Sequence, residues 1–282
     1  MDKSTIFKIN GVEKSFSIED APDFNLGHSE VLSKESTDIA FNQPWYSEGF
    51  TETDFLNKEE FKSLKNGLIE SIGEIIKQEC QVELSGFNLE NYHHFVKSDT
   101  DHFKVVSRTR DLFSEDFNFP IEEMLPRLGK ILNFKLIDFD PIKKQKAHII
   151  VRINRPLSKD YNPPHKDIYE GVDNDKYIPQ FINFWIPIAG VTDKSNLPLA
   201  PKSHLVSENK VLRTFEGAKI EGNKYRVRMI KSWDNNNSLT RSEVKYGEVL
   251  IFSSHLIHGL AVNEETDKTR VALEFRLFKS EN

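Results

Sequence analysis

The 282-residue chain contains one cysteine, Cys80. An intrachain disulfide is therefore excluded, and the usage fits a reducing compartment. No apolar run approaches the roughly 20 residues that span a bilayer. The opening stretch MDKSTIFKINGVEKSF lacks the apolar core of a secretory signal, so the chain reads as cytoplasmic with no membrane partner. Basic residues form no stripe: 38 Lys and Arg stand against 44 Asp and Glu, a formal charge of −6. Phosphate binding needs clustered cations, so no nucleic-acid partner is expected. A nucleophile elbow, a P-loop, a dinucleotide glycine fingerprint, internal repeats and low-complexity linkers are also missing.

What is present describes a globular chain. Hydrophobic residues make up 38% and charged residues 29%, enough for one domain, residues 1–282, with a developed core. Residues 1–133 read as mainly helical and 134–282 as strands. Asn10-Gly11 suggests a hairpin turn within Ile6–Phe16. Asn57–Gln78 is the clearest helix: Phe61, Leu64, Leu68, Ile72, Ile75 and Ile76 form one apolar stripe, and Asn57 with Glu60 makes a capping box. A second helix is expected after Asn88, including Tyr92, His93 and Phe95, and a third over Pro120–Leu132. Strands are expected at Phe134–Phe139, Ala147–Asn154, Gln180–Ile188, Lys210–Phe215, Tyr225–Lys231, Glu248–Phe252 and Arg270–Phe278. In the last, Arg270, Ala272, Glu274 and Arg276 alternate with Val271, Leu273, Phe275 and Leu277, the pattern of a strand with two different faces. Helices followed by many antiparallel strands indicate an α+β fold, a jelly-roll sheet pair buttressed by N-terminal helices.

The chemistry concentrates in two segments. In Tyr161-Asn162-Pro163-Pro164-His165-Lys166-Asp167 the prolines fix the approach to His165. The two-residue spacing puts His165 and Asp167 on one face of an extended chain. The second segment, Gly247–Phe252, reads as a turn and buried strand leading to His258-Gly259. An imidazole pair and one carboxylate form a 2-His-1-carboxylate triad with open coordination positions, the arrangement of non-haem Fe(II) oxygenases. Arg270 follows His258 by twelve residues, and a planar guanidinium suits a carboxylate better than lysine does.

With these residues in view, the sequence resembles the Fe(II)/2-oxoglutarate dioxygenase superfamily, in particular its phytanoyl-CoA dioxygenase-like branch. The likeness lies in His165-Lys166-Asp167, the Gly247–Gly259 stretch and Arg270, with Phe184-Trp185-Ile186-Pro187-Ile188 as a central strand. Leu197–His204 resembles the branch's Pro-Gly-Ser-His segment, with Lys202 where the glycine stands. The resemblance implies a cupin-like double-stranded β-helix. His165, Asp167 and His258 would hold Fe(II), and Arg270 the distal carboxylate of 2-oxoglutarate. With O2 the reaction would hydroxylate or otherwise oxidise an unactivated C–H bond and release succinate and CO2. The partner expected is a small polar metabolite, such as a sugar or biosynthetic intermediate. No oligomeric state follows from it.

Several positions stay open at this level. His255 rivals His258 as the distal ligand. His204 reads as structural; His93, His94 and His102 read as solvated or core histidines. Arg276 shares a face with Arg270 and either contacts the co-substrate or pairs with a neighbouring strand. Arg152 and Asn183 contact 2-oxoglutarate or substrate if they face the barrel interior, and are ordinary surface residues otherwise. Asp160–Lys176 is expected to form a mobile rim. Two other functions share these features: a cupin-like metal enzyme without 2-oxoglutarate, and a non-catalytic binding protein on the same fold.

Overall fold

A computed structural model describes residues 3–20, 22–117, 121–175 and 177–280. A hairpin opens the chain: β1 (Lys3–Ile9) and β2 (Val12–Glu19) pair antiparallel from Lys3↔Ile18 to Ile9↔Val12. Asn10 and Gly11 both have positive φ, 50° and 79°, as a two-residue hairpin turn requires. β3 (Asn25–Leu26) and β4 (Phe50–Asp54) follow. The helical part holds α1 (Lys58–Cys80), α2 (Tyr92–Phe95), α3 (Asp99–Thr109) and α4 (Leu125–Leu132). Then come β5 (Leu136–Ile137), β6 (Phe139–Asp140), β7 (Gln145–Lys146), β8 (Ile149–Asn154), α5 (Tyr169–Asp175) and β9 (Phe181–Ala189). Next are β10 (Pro198–Leu199), β11 (Val211–Arg213), β12 (Ala218–Ile220), β13 (Asn223–Tyr225), β14 (Ile230–Trp233) and β15 (Ser238–Arg241). β16 (Glu248–Ser253) and β17 (Arg270–Lys279) end the chain.

The main sheet runs β4-β16-β9-β17, and β8 and β5 share the far edge of β17. This order is not the sequence order, because the chain crosses repeatedly to a second layer. There His258 bridges both His165 and Leu199. A second sheet, β10-β15-β1-β2-β12-β13, wraps that layer. The fold is a double-stranded β-helix.

Alternation explains why the main sheet has two uses. Val271, Leu273, Phe275 and Leu277 of β17 join Leu64, Leu68, Ile72 and Ile76 of α1 in one apolar cluster. The opposite face of the same sheet carries Trp185, Leu250, Phe252 and Ala272, with Arg270, Glu274 and Arg276 in register on β17. Helices thus close the back of the sheet and leave its front to the site. α1 starts where its cap dictates: Asn57 Oδ1 accepts from the Glu59 and Glu60 amides at 3.0 Å, and the Asn57 amide donates to Glu60 at 2.9 Å.

The N-terminal part also supplies strands: the β1–β2 hairpin joins the second sheet and β4 edges the first. The main second helix is α3; only one turn forms at Tyr92–Phe95. The third begins as a 3-10 turn at Ile121 before α4, and Pro120 lies outside the described residues. The strand expected over Tyr225–Lys231 splits, with β13 ending at Tyr225 and β14 starting at Ile230. The expected rim at 160–176 is largely packed inside: Tyr161, Pro163, His165, Lys166, Ile168 and Tyr169 are all buried. The sequence looked polar there because alternate side chains enter the site and a buried ion-pair network. Among the described residues no helix is long and apolar enough to cross a membrane.

The helical backing should be dispensable to ligation but not to stability. Leu68→Ala, at a fully buried position, is expected to cost about 2–5 kcal/mol. Its denaturation midpoint should drop while the folded protein still binds one metal ion.

Candidate metal centre

His165 and Asp167 sit on the strand-like stretch that leaves the proline pair, and His258 lies on the stretch leaving β16. The His165 amide donates to the His258 carbonyl at 2.9 Å, and the His258 amide returns the bond at 3.1 Å. One residue pair thus carries both reciprocal bonds of an antiparallel bridge. The Asp167 amide donates to the Ser254 carbonyl at 3.2 Å, which extends the pairing to the third ligand. Gly259 makes this approach possible. Its φ is 135°, and a Cβ there would lie 2.5 Å from the Pro163 carbonyl oxygen.

The side chains converge. Nε2 of His165 lies 3.5 Å from Oδ1 of Asp167, and Nε2 of His258 lies 3.6 Å from Oδ2. The three side chains are nearly inaccessible, at 4–6%. One ligand atom from each falls within 4.8 Å of the others, and this is the one such group of His, Cys, Asp or Glu among the described residues. Adjacent ligands with bonds near 2.1 Å sit about 3 Å apart, so the carboxylate–imidazole spacings need to contract by roughly half an ångström.

The surroundings prepare each donor. Nδ1 of His165 donates to the Pro163 carbonyl at 2.7 Å, and Nδ1 of His258 to the Leu256 carbonyl at 3.1 Å. Both rings thereby carry the proton on Nδ1 and present the Nε2 lone pair. Burial pushes His258 down to about 4, against the opposing pull of Asp167, so its imidazole is neutral at physiological pH. For Asp167, burial acts upward but is outweighed by Arg276, His258 and His165, which hold the carboxyl well below its ordinary range. Arg276 Nη2 donates to Oδ1 at 2.6 Å and Asn183 Nδ2 to Oδ2 at 2.8 Å. Lys166 points the other way, with Nζ 2.7 Å from Glu208 in the interior. Two imidazoles with free Nε2 atoms and an ionised carboxylate suit a divalent transition metal.

A cavity of about 760 Å³ opens onto the two histidines and is lined deeper by Trp185, Leu197, Arg270 and Glu274. Arg270 is 2% exposed. Its Nη1 donates to the Ser195 carbonyl at 3.2 Å and Nη2 to Asn154 Oδ1, both neutral acceptors. Among the described residues it forms no ion pair with a carboxylate, and its Nε, like Trp185 Nε1, is a buried donor without a partner. Burial, then Arg241 and Arg152, push its pKa down to about 9. An uncompensated buried cation is costly, and an incoming carboxylate would remove that cost.

The residues singled out in the sequence fall into three groups. His165, His258 and Arg270 line one cavity, with Asp167 against the two imidazoles. Asn183 and Arg276 bond to Asp167. Arg152 is inward-facing and bonds to Glu274 through Nε and Nη2, at 2.9 and 2.7 Å. His255 turns away from the triad: its Nδ1 lies 3.4 Å from Asp38, in a buried network with Ser253. His204 Nε2 donates to the Tyr46 carbonyl at 2.7 Å. Lys202, where a glycine was expected, adopts φ 67° and so keeps the left-handed turn. His93 bonds to Thr269 at 2.9 Å, outside the cavity lining. Reading the sequence missed the cavity's second wall: His102, Phe103, Val106 and Arg110 line it from one face of α3 and its end. The signal was available in Ser98-x-x-Asp101, whose serine caps the helix at 3.0 Å.

No protein-family model matches this sequence, and no curated protein matches it. Among solved structures the chain is similar to EvdMO1, AviO1 and SnoK, each at low identity. EvdMO1 shares 14% identity at TM-score 0.45 over 84% of this chain, which spans 48% of EvdMO1. AviO1 from Streptomyces viridochromogenes Tue57 shares 13% at 0.44, covering 89% of this chain and 97% of its own. SnoK, a non-haem alpha ketoglutarate dependent carbocyclase from nogalamycin biosynthesis, shares 14% at 0.42, covering 90% and 87%. At such overlaps the chemistry has to be argued from this chain's own residues.

Gly259→Ala tests the bridge. The added methyl should push the proline segment away and lower affinity for Fe(II) or Co(II) at least tenfold in a spectroscopic titration, with the circular dichroism spectrum retained.

Proposed function

We propose that this protein is an Fe(II)- and 2-oxoglutarate-dependent oxygenase that oxidises a C–H bond of a small polar metabolite, with release of succinate and CO2. The observation that carries this reading is one cavity lined by both triad imidazoles and by Arg270, a buried cation with no carboxylate partner among the described residues. A metal site alone would equally suit a cupin-like enzyme or a binding protein. An arginine still charged near neutrality and held at the cavity wall specifically favours a dicarboxylate that reaches from metal to guanidinium.

His165, Asp167 and His258 would hold the iron, which with 2-oxoglutarate and O2 supplies the oxidising power. The chain's own part is positioning. Arg276 and Asn183 fix the Asp167 carboxylate, so that it meets the metal in one orientation. Arg270 would take the distal carboxylate of the co-substrate through donors that the protein leaves unused, with the Trp185 indole beside it, 5.8 Å from the guanidinium carbon. Arg152 and Glu274 neutralise each other at the wall. Burial would raise Glu274, but Arg152 overrides it and holds the carboxyl down to about 2, so Glu274 stays an acceptor that exchanges no proton near neutrality. The apolar layer of Leu250, Phe252 and Ala272 behind the site keeps water from its back.

Two variants test this. His165→Ala should abolish Fe(II) binding and succinate formation together; unchanged turnover would reject the triad. Arg270→Lys should raise the apparent KM for 2-oxoglutarate at least tenfold, because one ammonium cannot replace the fork, while metal affinity stays at the parent value. Metal binding without any 2-oxoglutarate consumption by the parent protein would favour the cupin-like reading.

A further inference from the structure

We infer that the substrate carries an oxyanion, a carboxylate or phosphate, and that Arg110 binds it at the cavity wall formed by α3. The inference rests on the oxygenase reading, since it assigns Arg270 to the co-substrate and leaves Arg110 for the substrate.

The argument is one of unbalanced charge. The cavity is lined by six cationic side chains and four carboxylates, although the whole chain is acidic at −6. The carboxylates are spent on particular partners. Glu274 is held by Arg152 at 2.7 Å, and Glu221 by Lys159 at 2.7 Å. Arg155 takes both Asp99 and Asp160, at 2.6 and 3.0 Å. Three cations are left over: Arg270, Lys224 and Arg110. Lys224 is exposed on strand β13, opposite Lys219 of β12. Arg110 is exposed as well, but it stands at the end of α3, within electrostatic reach of Arg152 on the same cavity wall.

Arg110 caps the C-terminal end of α3, so the helix fixes where its side chain begins. Phe103, one of the most exposed large apolar side chains at 69%, lies seven residues earlier and lines the same cavity; at 3.6 residues per turn the two share a face. Arg110 makes no ion pair among the described residues, while Arg152 stands within electrostatic reach and repels it. Two like charges on one concave wall focus a positive potential, which an anionic group relieves. Asp160 and Glu274, also within reach, are occupied as described. An exposed ring and an unpaired guanidinium on one helix face fit a substrate with an apolar portion and a single anionic group.

The test uses full-length protein loaded with Zn(II), with N-oxalylglycine present to fill the co-substrate position. Benzoate, phenyl phosphate and neutral benzamide are the probes, followed by saturation-transfer NMR. Benzoate or phenyl phosphate should bind saturably alongside N-oxalylglycine, with benzamide at least tenfold weaker. Arg110→Gln should weaken the favoured oxyanion at least tenfold, and Arg110→Lys should restore part of the loss. The stronger of the two oxyanions identifies the group. The N-oxalylglycine titration of each variant reports that the fold and the Arg270 end are intact. Equal binding of benzamide, retained affinity in Arg110→Gln, or displacement of the probes by N-oxalylglycine would each overturn the inference. If N-oxalylglycine itself failed to bind, the oxygenase reading would fall and this inference with it, an outcome distinct from loss at Arg110 alone.

Discussion

Everything at the centre depends on the reciprocal backbone bonds between His165 and His258. These residues are 93 apart, counting from 165 to 258, and no side-chain contact could bring them together with the needed accuracy. Two amide–carbonyl bonds do so, because they set a register in which both imidazoles leave the same side. A slip by one residue would turn both inward groups outward. Lys166 would then enter the cavity, and the imidazoles would meet the interior network around Glu208. That network works as a restraint from the other side. Buried Lys166 can keep its charge only beside Glu208, and moving it into the cavity would strand the carboxylate.

The same alternation accounts for what could be read directly from the sequence. The His165–Asp167 pair, the capped α1 helix, the Asn10-Gly11 turn and the two-faced β17 each have a local signature: a spacing of two, a stripe at three and four, a turn pair, or an alternation. Local signatures survive folding when nothing stronger competes. His255 against His258 was legible only as an ambiguity, because both follow the same strand. The structure separates them through Asp38, far off in sequence, which draws His255 into a different buried network. The pattern put Arg276 on the same face as Arg270 and left the facing of Asn183 open. That they grip Asp167 rather than lie free for a ligand depends on the cross-strand register of β17 and β9, where the two residues are direct partners.

What was not legible is non-local by nature. No stretch of sequence shows a basic cluster, yet the cavity gathers cations from α3, β8, the loop before Tyr161, the β12–β13 hairpin and β17. Net charge gave the opposite impression. The field in a concave site follows from which charges are paired there, and composition carries no pairing information. The rim expected at 160–176 failed for a related reason. Its polar residues looked like solvated ones, but Asp160 is held by Arg155, Ser158 and His102, and Lys166 and Tyr169 both bond to Glu208. A polar stretch that is fully bonded belongs to the interior.

Pairing also orders the cavity by depth. At the triad, Asp167 is held below its ordinary range by a neighbouring guanidinium and remains an ionised donor. At the wall, Arg152 and Glu274 cancel, so that neither draws a charged ligand by itself. Arg270 and Arg110 remain, one enclosed with its Nε unpartnered and one exposed at the cavity wall. Arg270, left without a carboxylate in the interior among the described residues, is a standing free-energy cost, and its persistence is explained most simply by a ligand that offsets it. The enclosed guanidinium suits a co-substrate that must sit in one pose at every turnover. The open one suits a molecule that enters afterwards, binds through a screened charge and leaves changed.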